Sequence, residues 1–140
     1  MKNRKFSLLK YGKRKIPEIY TAVALSFDKT VDIKQIKTEL KTIGVNDIRI
    51  VVPKYSNELD IIAFETRSKQ DWHLNDVISS MFSAMDGCMN KFCEIITKYN
   101  GSVHISIAFW HYKTYPALEI SKENIKKMHF LNASVGIDPY

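Results

Sequence analysis

The stretch from Asp71 to Tyr112 constrains the fold more than any other part of the chain. Apolar residues recur at Leu74, Ile78, Met81, Met85, Cys88, Phe92, Ile95 and Tyr99, with Val77, Met89 and Ile96 beside them. Steps of four and three keep these positions on one stripe of an α-helix. Asp76, Ser80, Ser83, Asp86, Asn90, Lys91, Glu94 and Lys98 fall on the other side. The spacing predicts one long helix capped by Asp71. Gly87 inside it costs about 1 kcal/mol relative to alanine and marks a kink or a close contact. Asn100-Gly101 supplies a left-handed stop. Val103, Ile105, Ile107 and Phe109 then alternate with Ser102, His104, Ser106, Ala108 and Trp110, the pattern of a strand with one covered face. About four heptads of such spacing would also suit a coiled coil. Flanking charges are sparse and a strand follows at once, so the pattern favours a helix laid across a sheet.

The other segments fit that arrangement. Ile19, Thr21, Val23, Leu25 and Phe27 alternate with Tyr20, Ala22, Ala24 and Ser26, a first strand whose second face is made of small residues. Asp32 begins a short helix as N-cap, with Gln35 three positions on. Its buried stripe is Ile33, Ile36, Leu40 and Ile43, and Gly44 ends it. Ile48, Ile50 and Val52 predict a second strand stopped by Pro53. Leu59 to Thr66 predicts a third, apolar on both faces at Ile61-Ile62-Ala63-Phe64 and therefore central. Arg67 to Gln70 reads as a polar link. Ala117 to Ile120 is read as a short strand, followed by a helix capped by Ser121 and buried through Ile125, Met128 and Leu131. Ala133 to Ile137 is a last strand. The expectation is a single two-layer α+β domain over residues 17–140. Its order is ferredoxin-like βαββαβ with an added C-terminal (β)αβ, and one long helix packs across an antiparallel or mixed sheet.

Composition narrows the function classes. Hydrophobic content of 45% and charged content of 26% are those of an ordinary globular protein. No apolar run approaches the ~20 residues that cross a bilayer. The N-terminus lacks a secretory pattern, so the expected location is the cytoplasm, with no membrane partner. The net charge of +6 is carried by the first 16 residues, which hold seven basic groups and no acid. Residues 1–16 are thus read as a flexible basic arm. Lys10, Lys13, Arg14 and Lys15 are its candidate electrostatic contacts with nucleic acid or acidic partners. The domain itself is nearly neutral, unlike a fold built to bind nucleic acid. Cys88 and Cys93 lie about 140° apart around a helix at ~100° per residue, so they do not bridge and read as free thiols.

No cofactor or metal is implied. There is no Gly-rich phosphate loop, nucleophile elbow or zinc-ligand spacing. His104, Trp110, His111, Tyr112 and Tyr115 form the one aromatic and imidazole cluster, and exposed aromatics of this kind suit anchors for a partner protein. A catalytic base at His104 or His111 would need a nucleophile or carboxylate in reach; Glu119 and Asp138 are the candidates, and nothing in the spacing requires either to approach. Asp138 and Tyr140 stand at the chain end, where termini usually fray, so they are read as capping the last strand rather than as a functional pair.

Two patches of the chain carry a resemblance. Val31-Asp32-Ile33-Lys34-Gln35-Ile36 follows the first strand. Leu118-Glu119-Ile120-Ser121-Lys122-Glu123-Asn124-Ile125 precedes Ala133-Ser134-Val135-Gly136-Ile137-Asp138-Pro139-Tyr140. With the overall layout, they make most of residues 18–140 resemble a family of small bacterial proteins known as domain of unknown function 4279. The direct path from Val45 to Asn57 departs from relatives that carry a longer tryptophan-containing segment there. The resemblance supports the fold and brings no activity with it. The function expected from the residues is a non-catalytic protein-binding module, immunity- or inhibitor-like, neutralising a toxin or an enzyme; dimerisation is compatible with it. The alternatives are a nucleic-acid-associated protein using the arm and an enzyme with a site near His104 and His111.

Overall fold

Period-two alternation becomes a sheet here because the strands Glu18–Asp28 and Ser102–Trp110 each bury one face under helices. The computed structural model describes residues 16–51, 58–111 and 115–140. Its elements are β1 (Glu18–Asp28), α1 (Ile33–Thr42), β2 (Arg49–Val51), β3 (Glu58–Gln70), α2 (Leu74–Ser83), α3 (Met89–Lys98), β4 (Ser102–Trp110), α4 (Lys122–Phe130) and β5 (Ser134–Pro139). The described strands form one sheet in the order β2-β3-β1-β4-β5. β1 pairs antiparallel with both β3 and β4, β2 pairs antiparallel with β3, and β5 runs parallel to β4. The connections β1-α1-β2 and β3-α2-α3-β4 each join parallel strands across an antiparallel one lying between them, a split βαβ arrangement. The α+β expectation and the central place of β3 are met.

One core fills the space between the sheet and its helices. Ile19, Val23, Leu25 and Phe27 of β1 and Val103, Ile105, Ile107 and Phe109 of β4 meet Ile36 and Leu40 of α1, Ile78 and Phe82 of α2 and Phe92 of α3. Phe27, Phe82, Phe92 and Phe109 are each at most 2% exposed, and burying such a side chain stabilises by about 1.5–3 kcal/mol. The opposite face carries Tyr20, Ala24 and Ser26 of β1 and His104, Ser106 and Ala108 of β4, all half-exposed.

The predicted single long helix is two helices. α2 ends at Ser83 and α3 starts at Met89, with Gly87 at φ +84° between them, a conformation that costs L-residues about 1–2 kcal/mol. Turn hydrogen bonds from Met85 to Phe82 and from Cys88 to Met85 keep both apolar side chains pointing inward, so the stripe stays in phase through the break. Asp71 is not the N-cap either. Its carboxylate accepts from the His73 N–H, and the Leu74 N–H is satisfied by the Ala117 carbonyl at 3.1 Å.

Helix ends elsewhere follow their sequence signals. Asp32 accepts from the Lys34 and Gln35 N–H groups, and Ser121 from that of Asn124. Gly44, Asn100 and Asn132 adopt positive φ, and each sits in a pair of closing bonds, such as Asn100 to Thr97 with Gly101 to Ile96. Four further expectations change. Arg67 to Gln70 continues β3, because Gln70 pairs with Glu18 at the start of β1. Ala117 to Ile120 is no strand; Ala117 alone forms a parallel bridge with His73. β5 runs on to Pro139. On α4, Asn124 replaces Ile125 on the buried side: Ile125 is 52% exposed and Asn124 is 2% exposed. The asparagine donates to Asn75 Oδ1 at 2.8 Å and Ser79 Oγ at 3.0 Å, which satisfies a polar group in that position.

Candidate functional site

The sheet registers bring several chain segments to one end. Glu18 opposes both Gln70 and Trp110, and Ala108 opposes Asp138, so β1 begins where β3, β4 and β5 finish. Residues 72–74 and 115–118 meet beside them through the Ala117 N–H to Trp72 carbonyl bond at 2.7 Å. Ile16, Trp72, Trp110, Tyr115, Leu118 and Tyr140 all belong to these segments and are exposed by 36–63%. They make an apolar rim at the end of the sheet.

Stacking holds much of the rim in place. Trp110 and Tyr140 lie face to face, with centroids 5.2 Å apart and planes 18° from parallel. The C-terminus is fixed by the Tyr140 N–H donating to the Phe109 carbonyl at 2.8 Å and its carbonyl accepting from His111 at 3.2 Å. These bonds extend the β4–β5 ladder through Tyr140. His111 stacks on Tyr115 at 4.4 Å, and Tyr115 meets Phe109 edge-on at 6.0 Å. The His111 Nδ1 is buried with no hydrogen-bond partner among the described residues. Asp76 and Glu119 bring two carboxylates beside the rim, and Lys69 stands at the same end of the sheet, opposite Ile19. His73, Asn75, Asp76, Ala117 and Glu119 line a groove of about 320 Å³ there.

The five-residue cluster read from sequence is only partly assembled. Trp110, His111 and Tyr115 do meet at the rim, and Tyr112 lies outside the described residues. His104 does not join them. It stands six residues before Trp110, about 20 Å along the strand at ~3.3 Å per residue. Its Nδ1 is 2.7 Å from Ser134 Oγ, and its ring lies against Gly136. Alternation also sets His104 and His111 on opposite faces of β4, so no site forms around both histidines. Lys10, Lys13, Arg14 and Lys15 are outside the described residues. Trp72, Leu118 and Tyr140 were missed, because only the β4–β5 register and the His73–Ala117 bridge bring them together.

Other chemistry is accounted for locally. Burial raises the pKa of the Cys88 thiol, with the Asp86 charge adding to it, and burial raises that of Cys93. Neither has the depressed pKa of a reactive thiol. Among the described residues, no group of three or more His, Cys, Asp and Glu side chains is placed to hold a metal ion. No helix among them is long and apolar enough to cross a membrane. A family model described as "Domain of unknown function (DUF4279)" matches residues 56–140, more than half of the chain. The match leaves out the opening strand and helix, where part of the resemblance was read. No curated protein and no solved structure matches.

Proposed function

The chain belongs to the DUF4279 family, and from that premise we propose that it is a non-catalytic protein-binding module. In this reading it acts as an immunity or inhibitor protein does, covering the working surface of a toxin or an enzyme. The observation that carries the reading is the rim. Trp110 and Tyr140 are partly exposed yet held in one geometry, so little side-chain entropy is lost when a partner covers them. Exposed aromatics clustered in this way suit interface anchors. The near-neutral charge of residues 17–140 weighs against the nucleic-acid alternative.

Affinity capture from nuclease-treated lysate of the source cells tests this, using the whole chain, a chain lacking residues 1–15, and Trp110→Ala. The expected result is one protein retained in near-equal amount by the first two. Trp110→Ala is expected to weaken it about thirtyfold or more, the loss of an anchor worth ~2 kcal/mol. The captured protein should lose its own activity when bound. Capture that needs the arm and disappears with nuclease refutes the module in favour of nucleic-acid binding.

A further inference from the structure

Among the described residues, the other exposed large apolar side chains lie on α4 and β5: Ile125, Phe130, Val135 and Ile137. β5 ends the sheet, and among the described residues no strand pairs with its outer side. The bonds at its end determine what that side offers. Tyr140 directs both its N–H and its C=O towards β4, to Phe109 and His111. Backbone direction alternates along a paired strand, so Asp138, Gly136 and Ser134 also point inward. Val135, Ile137 and Pro139 point outward. Pro139 thus sits where its missing N–H breaks no bond to β4, as expected for proline on an edge strand. Val135 and Ile137 direct their N–H and C=O groups to the side where no described strand pairs. Their side chains lie on the helix side of the sheet, opposite Ile105 and Ile107, and are 38% and 42% exposed. The strand carries no lysine, and its pairing with β4 shows no register shift, so two common protections of an edge are missing.

We propose that β5 pairs antiparallel with β5 of a second copy of this chain, about a twofold axis through Gly136. The sequence of the strand is self-complementary in that register. Val135 then faces Ile137 of the second copy and Ile137 faces Val135, which gives two β-branched pairs on the helix side. These are hydrogen-bonded positions, so the outward groups make four N–H···O bonds before Pro139 closes the ladder at each end. On the other face, Ser134 meets Asp138 of the second copy at a non-bonded position, where side chains approach most closely. The Ser134 hydroxyl donates to that carboxylate while its oxygen accepts from His104 Nδ1–H, extending the pair already present at 2.7 Å. Gly136 faces itself on the axis. A one-residue slip would set Val135 or Ile137 opposite a polar residue or a glycine. The closed twofold joins two five-stranded sheets into one and leaves no β5 edge. The ladder runs along the side of β5 and the rim stands at its end, so this inference does not rest on the binding-module reading.

Sedimentation of the full chain over a wide concentration series is the test. A monomer–dimer equilibrium is expected. Ile137→Lys should weaken association about a hundredfold or more, since the twofold places the lysine in the interface twice. At concentrations where wild type is monomeric its thermal melt should match that of wild type, because the side chain is already 42% exposed in the single chain. A mixture of Val135→Cys and Ile137→Cys chains should cross-link between those two positions under mild oxidation. The Cα atoms of a hydrogen-bonded pair are about 5.5 Å apart, within disulfide reach. A chain that stays monomeric overturns the proposal and leaves the edge to a strand of another protein. A dimer indifferent to Ile137→Lys, or one cross-linked only between identical positions, overturns it as well.

Discussion

Replacing Asn124 tests how α4 is held on the core. The residue is 2% exposed, and its side-chain amide donates to Asn75 Oδ1, Ser79 Oγ and, at 3.4 Å, the Asn75 carbonyl. Asn75 Oδ1 also accepts the Ser121 N–H at 2.8 Å, so one asparagine side chain joins α2 to the start of α4. Asn124→Leu keeps the approximate volume and removes the donors. Asn75 Oδ1 retains Ser121, while Ser79 Oγ loses its partner from α4. Leaving a buried polar group short of a bond costs about 1–3 kcal/mol, roughly 2–4 °C of Tm per kcal/mol in a chain of this size. Asn124→Asp is the sharper probe. It sets a carboxylate against the Asn75 oxygen in a buried place, so the introduced acid should have a folded-state pKa above the ordinary value of about 3.9. A raised folded pKa means stability that is present below the unfolded value and lost as pH rises through the folded one. The deficit relative to wild type should therefore be smallest below about pH 4 and widen above it. Urea denaturation followed by circular dichroism at several pH values measures both effects. A leucine variant as stable as wild type, or an aspartate variant with a flat deficit, would refute this account of the α2–α4 contact.

Three further outcomes follow from local geometry. Gly101→Ala should destabilise by about 1–3 kcal/mol as an overpacking substitution. An added Cβ would stand 2.4 Å from Phe27 Cε1, and Phe27→Leu in the same chain should recover part of the loss in a double-mutant cycle read by urea denaturation. Glu39 is joined to Lys98 at 2.7 Å, and that hydrogen bond, followed by one from Tyr99, holds its carboxyl below the usual 4.5. The link then contributes above the unfolded value and is lost as pH falls through the folded one. Glu39→Gln should therefore melt lower than wild type near neutral pH, with the gap closing in acid below the usual 4.5. Trp110→Ala removes the stack on Tyr140, worth about 0.5–1.5 kcal/mol beyond its buried area, and should speed amide exchange at Tyr140 more than at core positions of β1.

How far the sequence could be read depended on whether the deciding contact was local. The stops at Gly44 and Asn100 and the caps at Asp32 and Ser121 were legible, because each is settled within a few residues of chain. The break between α2 and α3 was not. Met85 and Cys88 stay buried through the turn, so apolar spacing alone cannot tell a continuous helix from two helices in phase. Gly87 carried the only local signal, and a glycine inside a helix gives the same signal. The inward face of α4 was misread by one position for a different reason. Asn124, Met128 and Leu131 have the spacing of a buried stripe as good as Ile125, Met128 and Leu131, and what favours the asparagine is Asn75, 49 residues earlier. The candidate site divides in the same way. Trp110 and His111 could be named from β4 alone. That Tyr140 stacks on the first and that His104 belongs with Ser134 both follow from the parallel β4–β5 register. That register places His104 opposite Ser134, and the bond from Tyr140 to Phe109 continues the ladder so that Tyr140 comes beside Trp110. The same register turns Val135 and Ile137 to the open edge, so one pairing that no local pattern encodes positions both the rim and the strand proposed to meet a second copy.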